Sequence, residues 1–308
     1  MKQLLVLFAL FILSSPAAIF ASGKGIPPGE TQGAPVVVST AWLASHIDDP
    51  NLIVFHVGSS RRDYAKGHIP GARFLWSSSL STTTEDLTLE LPPEEQADSV
   101  LRNLGVSEGA RIVLYFANGS VTQATRMFLT LEYLGLSGKV SLLDGGLDAW
   151  KAEGRSVTAG ASKHAAGSYV PRLHPEVVVD AEWVAAHLND NRVAIVDARG
   201  AQFYQGKGGG MPRAGHIPGA VNIQFSGLVD STNRLRDKRE LEKIFEGAGV
   251  KPGVTVVSYC HIGQQASLVY FVARYLGYDA RLYDGSFEDW SSRDDLPVVN
   301  PSEERGKK

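Results

Sequence analysis

The sequence predicts an α/β protein of two tandem domains, each a mostly parallel sheet flanked by helices. Three observations predict it. Short apolar runs alternate with helical patterns, the same set of motifs occurs twice, and 308 residues are enough for two cores. The hydrophobic content of 44%, the charged content of 20% and the net charge of −3 describe an ordinary globular chain. That balance argues against bulk binding of nucleic acid or of an anionic membrane.

Met1-Lys2-Gln3 leads into an apolar run from Leu4 to Leu13, followed by the small residues Ser14, Ser15, Ala17, Ala18, Ala21 and Ser22. A basic start, a short apolar core and small residues predict a signal peptide over 1–22, hence an exported protein of the bacterial periplasm. Pro16 and the serines interrupt the run, so no stable membrane insertion is expected after cleavage; an uncleaved anchor is the alternative. Gly23 to Pro35 reads as a leader to the folded part.

The first repeat spans 36–157, a linker 158–175, and the second repeat 176–299. Val36-Val37-Val38 with Trp42, Leu43 and His46 returns as Val177-Val178-Val179 with Trp183, Val184 and His187. Gly67-His68-Ile69-Pro70-Gly71-Ala72 returns as Gly215-His216-Ile217-Pro218-Gly219-Ala220. Tyr133-Leu134-Gly135 returns as Tyr275-Leu276-Gly277, and Asp144-Gly145 with Trp150 as Asp284-Gly285 with Trp290. Val193 to Val196 and Val254 to Val257 have the composition of buried parallel strands. Leu268, Phe271, Val272, Tyr275 and Leu276 mark one apolar helix face, ended by Gly277.

Cys260 is the only cysteine, so an internal disulfide is impossible and the thiol is either inert or reactive. It follows a strand pattern and precedes a helix beginning near Ser267, which makes 260–265 a loop at the carboxyl edge of a sheet. Amides and dipole at a helix N-terminus favour thiolate, and Gly263 permits the dihedrals that converge them. His261 either helps acidify the thiol or is a surface histidine.

Strand-Cys-x-x-Gly-x-x-helix, preceded by Asp197-Ala198-Arg199 and by Gly-His-Ile-Pro-Gly-Ala, resembles the rhodanese family of sulfurtransferases. The tandem repeat with cysteine only in the second half is similar to the two-domain thiosulfate and 3-mercaptopyruvate sulfurtransferases. The resemblance implies ping-pong chemistry through a Cys260 persulfide, with a small anionic sulfur donor and a thiol or cyanide-like acceptor. It implies that Arg199 binds the donor, a salt bridge to a neighbouring acid being the alternative, while Asp197 braces the loop or the arginine. His261, Ile262, Gly263, Gln264 and Gln265 are the remaining candidates for substrate contact. Thiosulfate-selective members carry basic residues after the cysteine and mercaptopyruvate-selective ones small polar residues. This loop matches neither; thiosulfate is favoured because Arg199 suits an anion and His261 adds charge below its pKa. A non-enzymatic persulfide carrier is the alternative function.

Offsets between the repeats set Cys260 against Asn118 or Ala117, and Asp197 and Arg199 against His56 and Gly58. The first domain is therefore expected to be catalytically silent and to wall the active-site cleft. His216 and Pro218 recur in that silent repeat, so their motif reads as structural. Gly206 to Pro212 is either a mobile flap or a tolerated loop. A cysteine phosphatase would need arginine where Ala266 stands. No Cys/His cluster has metal-ligand spacing, so no metal, no cofactor and a monomer are expected.

Overall fold

Consecutive β-branched and aromatic residues need burial on both faces, and two parallel sheets supply it. The structure is a computed structural model describing residues 35–119 and 121–305. The signal peptide expected over 1–22 lies outside the described residues. The first domain contains β1 (Val37–Val38), β2 (Leu52–Gly58), β3 (Arg73–Trp76), β4 (Arg111–Phe116) and β5 (Val140–Leu143). The second contains β6 (Val178–Val179), β7 (Val193–Asp197), β8 (Val221–Asn222), β9 (Thr255–Tyr259) and β10 (Asp279–Tyr283). The orders are β1-β5-β4-β2-β3 and β6-β10-β9-β7-β8. Every pairing in both sheets is parallel.

The linker is not a free tether. Tyr169 is buried on the first domain, its amide donating to Val106 O and its hydroxyl to Leu134 O. The Gly-His-Ile-Pro-Gly-Ala motifs are structural, as their duplication suggested. His68 stacks on Tyr64 and His216 on Tyr204. The amides of Ile69 and Ile217 donate to the hydroxyls of Tyr115 and Tyr259.

The two domains share one apolar core. The Val121–Leu131 helix and the Ala266–Leu276 helix pack across the boundary, with Phe128 edge-on to Phe271 at 4.8 Å. The hydroxyls of Thr125 and Ser267 meet at 2.8 Å, and Tyr270 donates to Glu132 at 2.7 Å. Each strand-end aspartate also receives a loop of the opposite domain. Leu235 N–H donates to Asp144 at 2.8 Å, and Leu91 N–H donates to Asp284 at 2.9 Å. This reciprocal exchange fixes the first domain against the cysteine loop of the second.

Candidate active site

The apolar run of β9 ends at Tyr259, and Cys260 opens the loop that leads into the Ala266–Leu276 helix. The amides of Ala266, Ile262 and Gln265 converge on its sulfur, as expected of a helix N-terminus approached through a glycine. Gly263 has φ +79°, in the left-handed region that favours glycine. A second segment holds the loop from the other side. Cys260 N–H donates to Ser286 Oγ at 3.2 Å, and Ser286 Oγ donates to Tyr283 O at 2.9 Å. The amides of Phe287 and Glu288 donate to the carbonyls of Cys260 and His261, each at 3.0 Å. Ser286 keeps φ +53° although it is not glycine, whereas the first repeat has Gly146 there. A strained, buried serine bonded to the cysteine amide is a feature that sequence reasoning missed. Reading Tyr-Asp-Gly-Ser against Leu-Asp-Gly-Gly of the first repeat would have found it.

Cys260 is only 1% exposed and belongs to the shared apolar core. Burial pushes its thiol up, and the three amides that pull it down do not outweigh that cost. The loop amides favour the thiolate, as expected, and burial of the sulfur opposes them and prevails. Alkylation of Cys260 by a small neutral reagent should accelerate with pH through the alkaline range. A plateau reached below about pH 8.5, the ordinary thiol value, would contradict this.

Arg199 lies near the sulfur, and two of its three guanidinium nitrogens are engaged. Its Nε and Nη2 donate to the Asp197 carboxylate at 2.9 and 2.6 Å, and Nη2 also donates to Gly215 O at 2.7 Å. The guanidinium lies 4.0 Å from the centre of the Phe287 ring, and Tyr259 donates its hydroxyl to Asp197 at 2.9 Å. Burial opposes the charge, and Asp197 more than restores it, so Arg199 stays above its ordinary value. At 2% exposure, the salt bridge weighed as the alternative is formed through Nε and Nη2, and Nη1 stands outside it. Asp197 braces the arginine, as expected.

His261 is half-buried, edge-on to Phe203 at 4.6 Å. Burial, then repulsion by Arg199, lowers its pKa, so it is neutral at neutral pH. The charge expected from it toward an anionic donor is absent there. Gln265 faces its ring, and Gln264 reaches Thr122 of the first domain at 3.3 Å. Ile262 contributes its amide. The Gly206–Pro212 segment is tied in at its start, where Ser302 donates to Gly206 O at 3.1 Å, and Gly208 lies against Phe203. Phe203 thereby links this segment to His261.

Sheet register corrects the match between the repeats. Tyr259 pairs with Asp197 across β9 and β7, and Tyr115 with His56 across β4 and β2. Cys260 therefore corresponds to Phe116, and Gly263 to Gly119, rather than Cys260 to Asn118 or Ala117. The first domain has two more residues between Tyr115 and Tyr133 than the second has between Tyr259 and Tyr275, and they lie in the helical segment that starts at Val121, which is why an offset taken from the helix end misplaced the cysteine. His56 and Gly58 do stand where Asp197 and Arg199 are. His56 is buried, its pKa lowered to about 4 by that burial and then by His68. A phenyl ring and a neutral imidazole offer no sulfur nucleophile.

A cavity of about 720 Å³ flanks the site between the two domains without reaching Cys260; Glu90, Trp183, Tyr283 and Asp284 are among its lining residues. Among the described residues no cluster of three His, Cys, Asp or Glu is placed to hold a metal, and no helix is long and apolar enough to cross a membrane.

The family of rhodanese-like domains matches the chain at residues 39–153 and 180–293. The thiosulfate sulfurtransferase of Azotobacter vinelandii is 32% identical over 265 residues, covering 86% of this chain and 97% of that protein. The 3-mercaptopyruvate sulfurtransferase of Escherichia coli K12 is 34% identical over 274 residues, covering 85% and 96%. The crystal structure of SseA from Escherichia coli, described under the rhodanese fold of 3-mercaptopyruvate sulfotransferases, matches with a TM-score of 0.74 at 32% identity, covering 82% of this chain and 99% of that one. With two matched domains spanning most of its length, the chain belongs to the rhodanese family.

Proposed function

We propose that the protein is a sulfurtransferase whose Cys260 carries sulfur as a persulfide between an anionic donor and a thiophilic acceptor. The observation that carries this reading is the convergence of three amides on the sole cysteine's sulfur. The Cys260 thiolate attacks the transferable sulfur of the donor. With thiosulfate its S–S bond breaks and sulfite leaves; with 3-mercaptopyruvate the C–S bond of the thiol breaks, and the enolate of pyruvate leaves with the electron pair and is protonated. The acceptor, a thiolate or cyanide, then attacks the outer sulfur of the persulfide and releases the Cys260 thiolate. The amides that face the sulfur are placed to stabilise the negative charge that it carries before and after transfer.

Thiosulfate was favoured on the anion fork of Arg199 and the charge of His261. Asp197 takes up Nε and Nη2 of the first and burial opposes the second, so neither donor is favoured strongly. Intact-mass measurement after incubation with each donor decides between them. A gain of roughly 32 Da mapped to Cys260 identifies the donor through its covalent intermediate, and no gain with either overturns the reading. Turnover with cyanide marks an enzyme, whereas stoichiometric loading alone marks a carrier. A monomer is part of this reading, supported by one chain supplying both halves of the shared core. The basic start and apolar run of residues 1–22 support export to a bacterial periplasm, which N-terminal sequencing of the secreted form tests.

A further inference from the structure

We propose that Arg126, contributed by the silent first domain, is a positioning residue for the nucleophile loop of the second. It acts by holding the strand-end Asp284 and the backbone that follows.

Arg126 lies on the Val121–Leu131 helix and is 2% exposed. Its Nη2 donates to Leu89 O at 2.5 Å, which captures the 82–91 arm of its own domain. Its Nη1 lies 2.6 Å from Asp284 Oδ1, close enough for an ion pair though off the line of a directed hydrogen bond. The same Nη1 occupies the space beside Gly263, where an added Cβ would come within 2.8 Å of it. Gly263 is thus required twice, once for its dihedral and once for the arginine against it.

The connection to the cysteine runs through the backbone. Asp284 is held between Arg126 and the amide of Leu91. Two residues on, Ser286 accepts the Cys260 amide, and Phe287 and Glu288 hold the carbonyls of Cys260 and His261. The loop hangs on this segment, and the segment is anchored at Asp284. The guanidinium bonds the Leu89 carbonyl through one nitrogen while another lies against the Asp284 carboxylate, two points of contact that the single nitrogen of a lysine cannot reproduce.

The surrounding charges make this anchor depend on pH. Glu90 on the arm faces Asp284, Asp289 and Glu288, with Arg126 as the opposing cation. Across the adjoining cavity stand Glu176, Asp180, Arg281 and Tyr283. Burial, then Asp284, raises Glu90 to about 7. Its protonated form is thus favoured in the docked arm, and docking weakens as pH rises through that value. Without Arg126 the acids would face one another uncompensated once Glu90 ionises.

The test compares wild-type protein with Arg126→Met and Arg126→Lys in steady-state sulfur transfer. It rests on the Cys260 reading, whose failure shows as absence of persulfide in the wild type, whereas failure here shows only in the variants. Arg126→Met is expected to lower kcat about tenfold or more at pH 8.5 and only a fewfold at pH 6, with donor KM unchanged, because like charges disfavour the docked arm when ionised. Adding Glu90→Gln should restore most of the loss at pH 8.5. Arg126→Lys keeps the charge without the fork and should lower kcat to a similar degree at both pH values. An equal deficit for Arg126→Met at both pH values overturns the proposal, as does a raised KM with unchanged kcat, the mark of a group that touches substrate. Should Arg126→Met fail to fold, unchanged kcat in Arg126→Lys overturns it and a lowered kcat with constant KM supports it.

Discussion

Replacing Cys260 by serine is expected to remove sulfur transfer down to the uncatalysed background while leaving the fold intact. Serine has nearly the shape of cysteine, but its oxygen cannot carry a sulfane sulfur at neutral pH. The three amides that face Sγ can donate to a hydroxyl equally well, so the buried oxygen keeps partners. The stability change should stay within about 1 kcal/mol, the net worth of a typical hydrogen bond. Steady-state turnover and thermal unfolding of the same preparation measure both halves. No other cysteine exists in the chain to take over, so retained turnover would remove Cys260 from the mechanism.

Arg199→Ala is expected to damage the protein more broadly. The guanidinium is buried and paired in two directions with Asp197, which has no water to replace it. Removing one partner of a buried ion pair leaves the other charge uncompensated, at a cost of about 3–5 kcal/mol. Urea unfolding should show that loss, and Asp197→Ala combined with Arg199→Ala should recover part of it, because the orphaned carboxylate is gone. Sulfur transfer should fall as well, since the Arg199 charge lies near Cys260. If Arg199→Ala unfolds like wild type and only raises donor KM, the guanidinium is a donor-binding group, as the family resemblance implied.

Much of the fold was legible because the signals were local. Val193 to Val196 and Val254 to Val257 read as buried strands; β7 contains the first and adds Asp197, and β9 begins one residue later than the second, at Thr255, and runs on to Tyr259. The helix face from Leu268 to Leu276 and its stop at Gly277 were read from periodicity and found in place, Gly277 at φ +90°. The site was legible in part. The loop, its glycine and the converging amides follow from strand-loop-helix order alone. The occupancy of Arg199 does not, because a two-residue spacing to Asp197 admits either a salt bridge or an open fork. The counterpart of Cys260 was misplaced because a local insertion is invisible until the strands are paired.

By itself the sequence determined the duplication, the single cysteine, its place at the carboxyl edge of a sheet, and the absence of a cysteine from the first repeat. These depend on residue type and local order, which the chain states directly. Only the tertiary structure decided the direction in which burial shifts Cys260 and His261, the pairing of Arg199, and the contact of Arg126 and Asp284 across the domain boundary. Each depends on burial or on charges brought together from distant positions. Desolvation and Coulomb energies depend on distance in space, not along the chain.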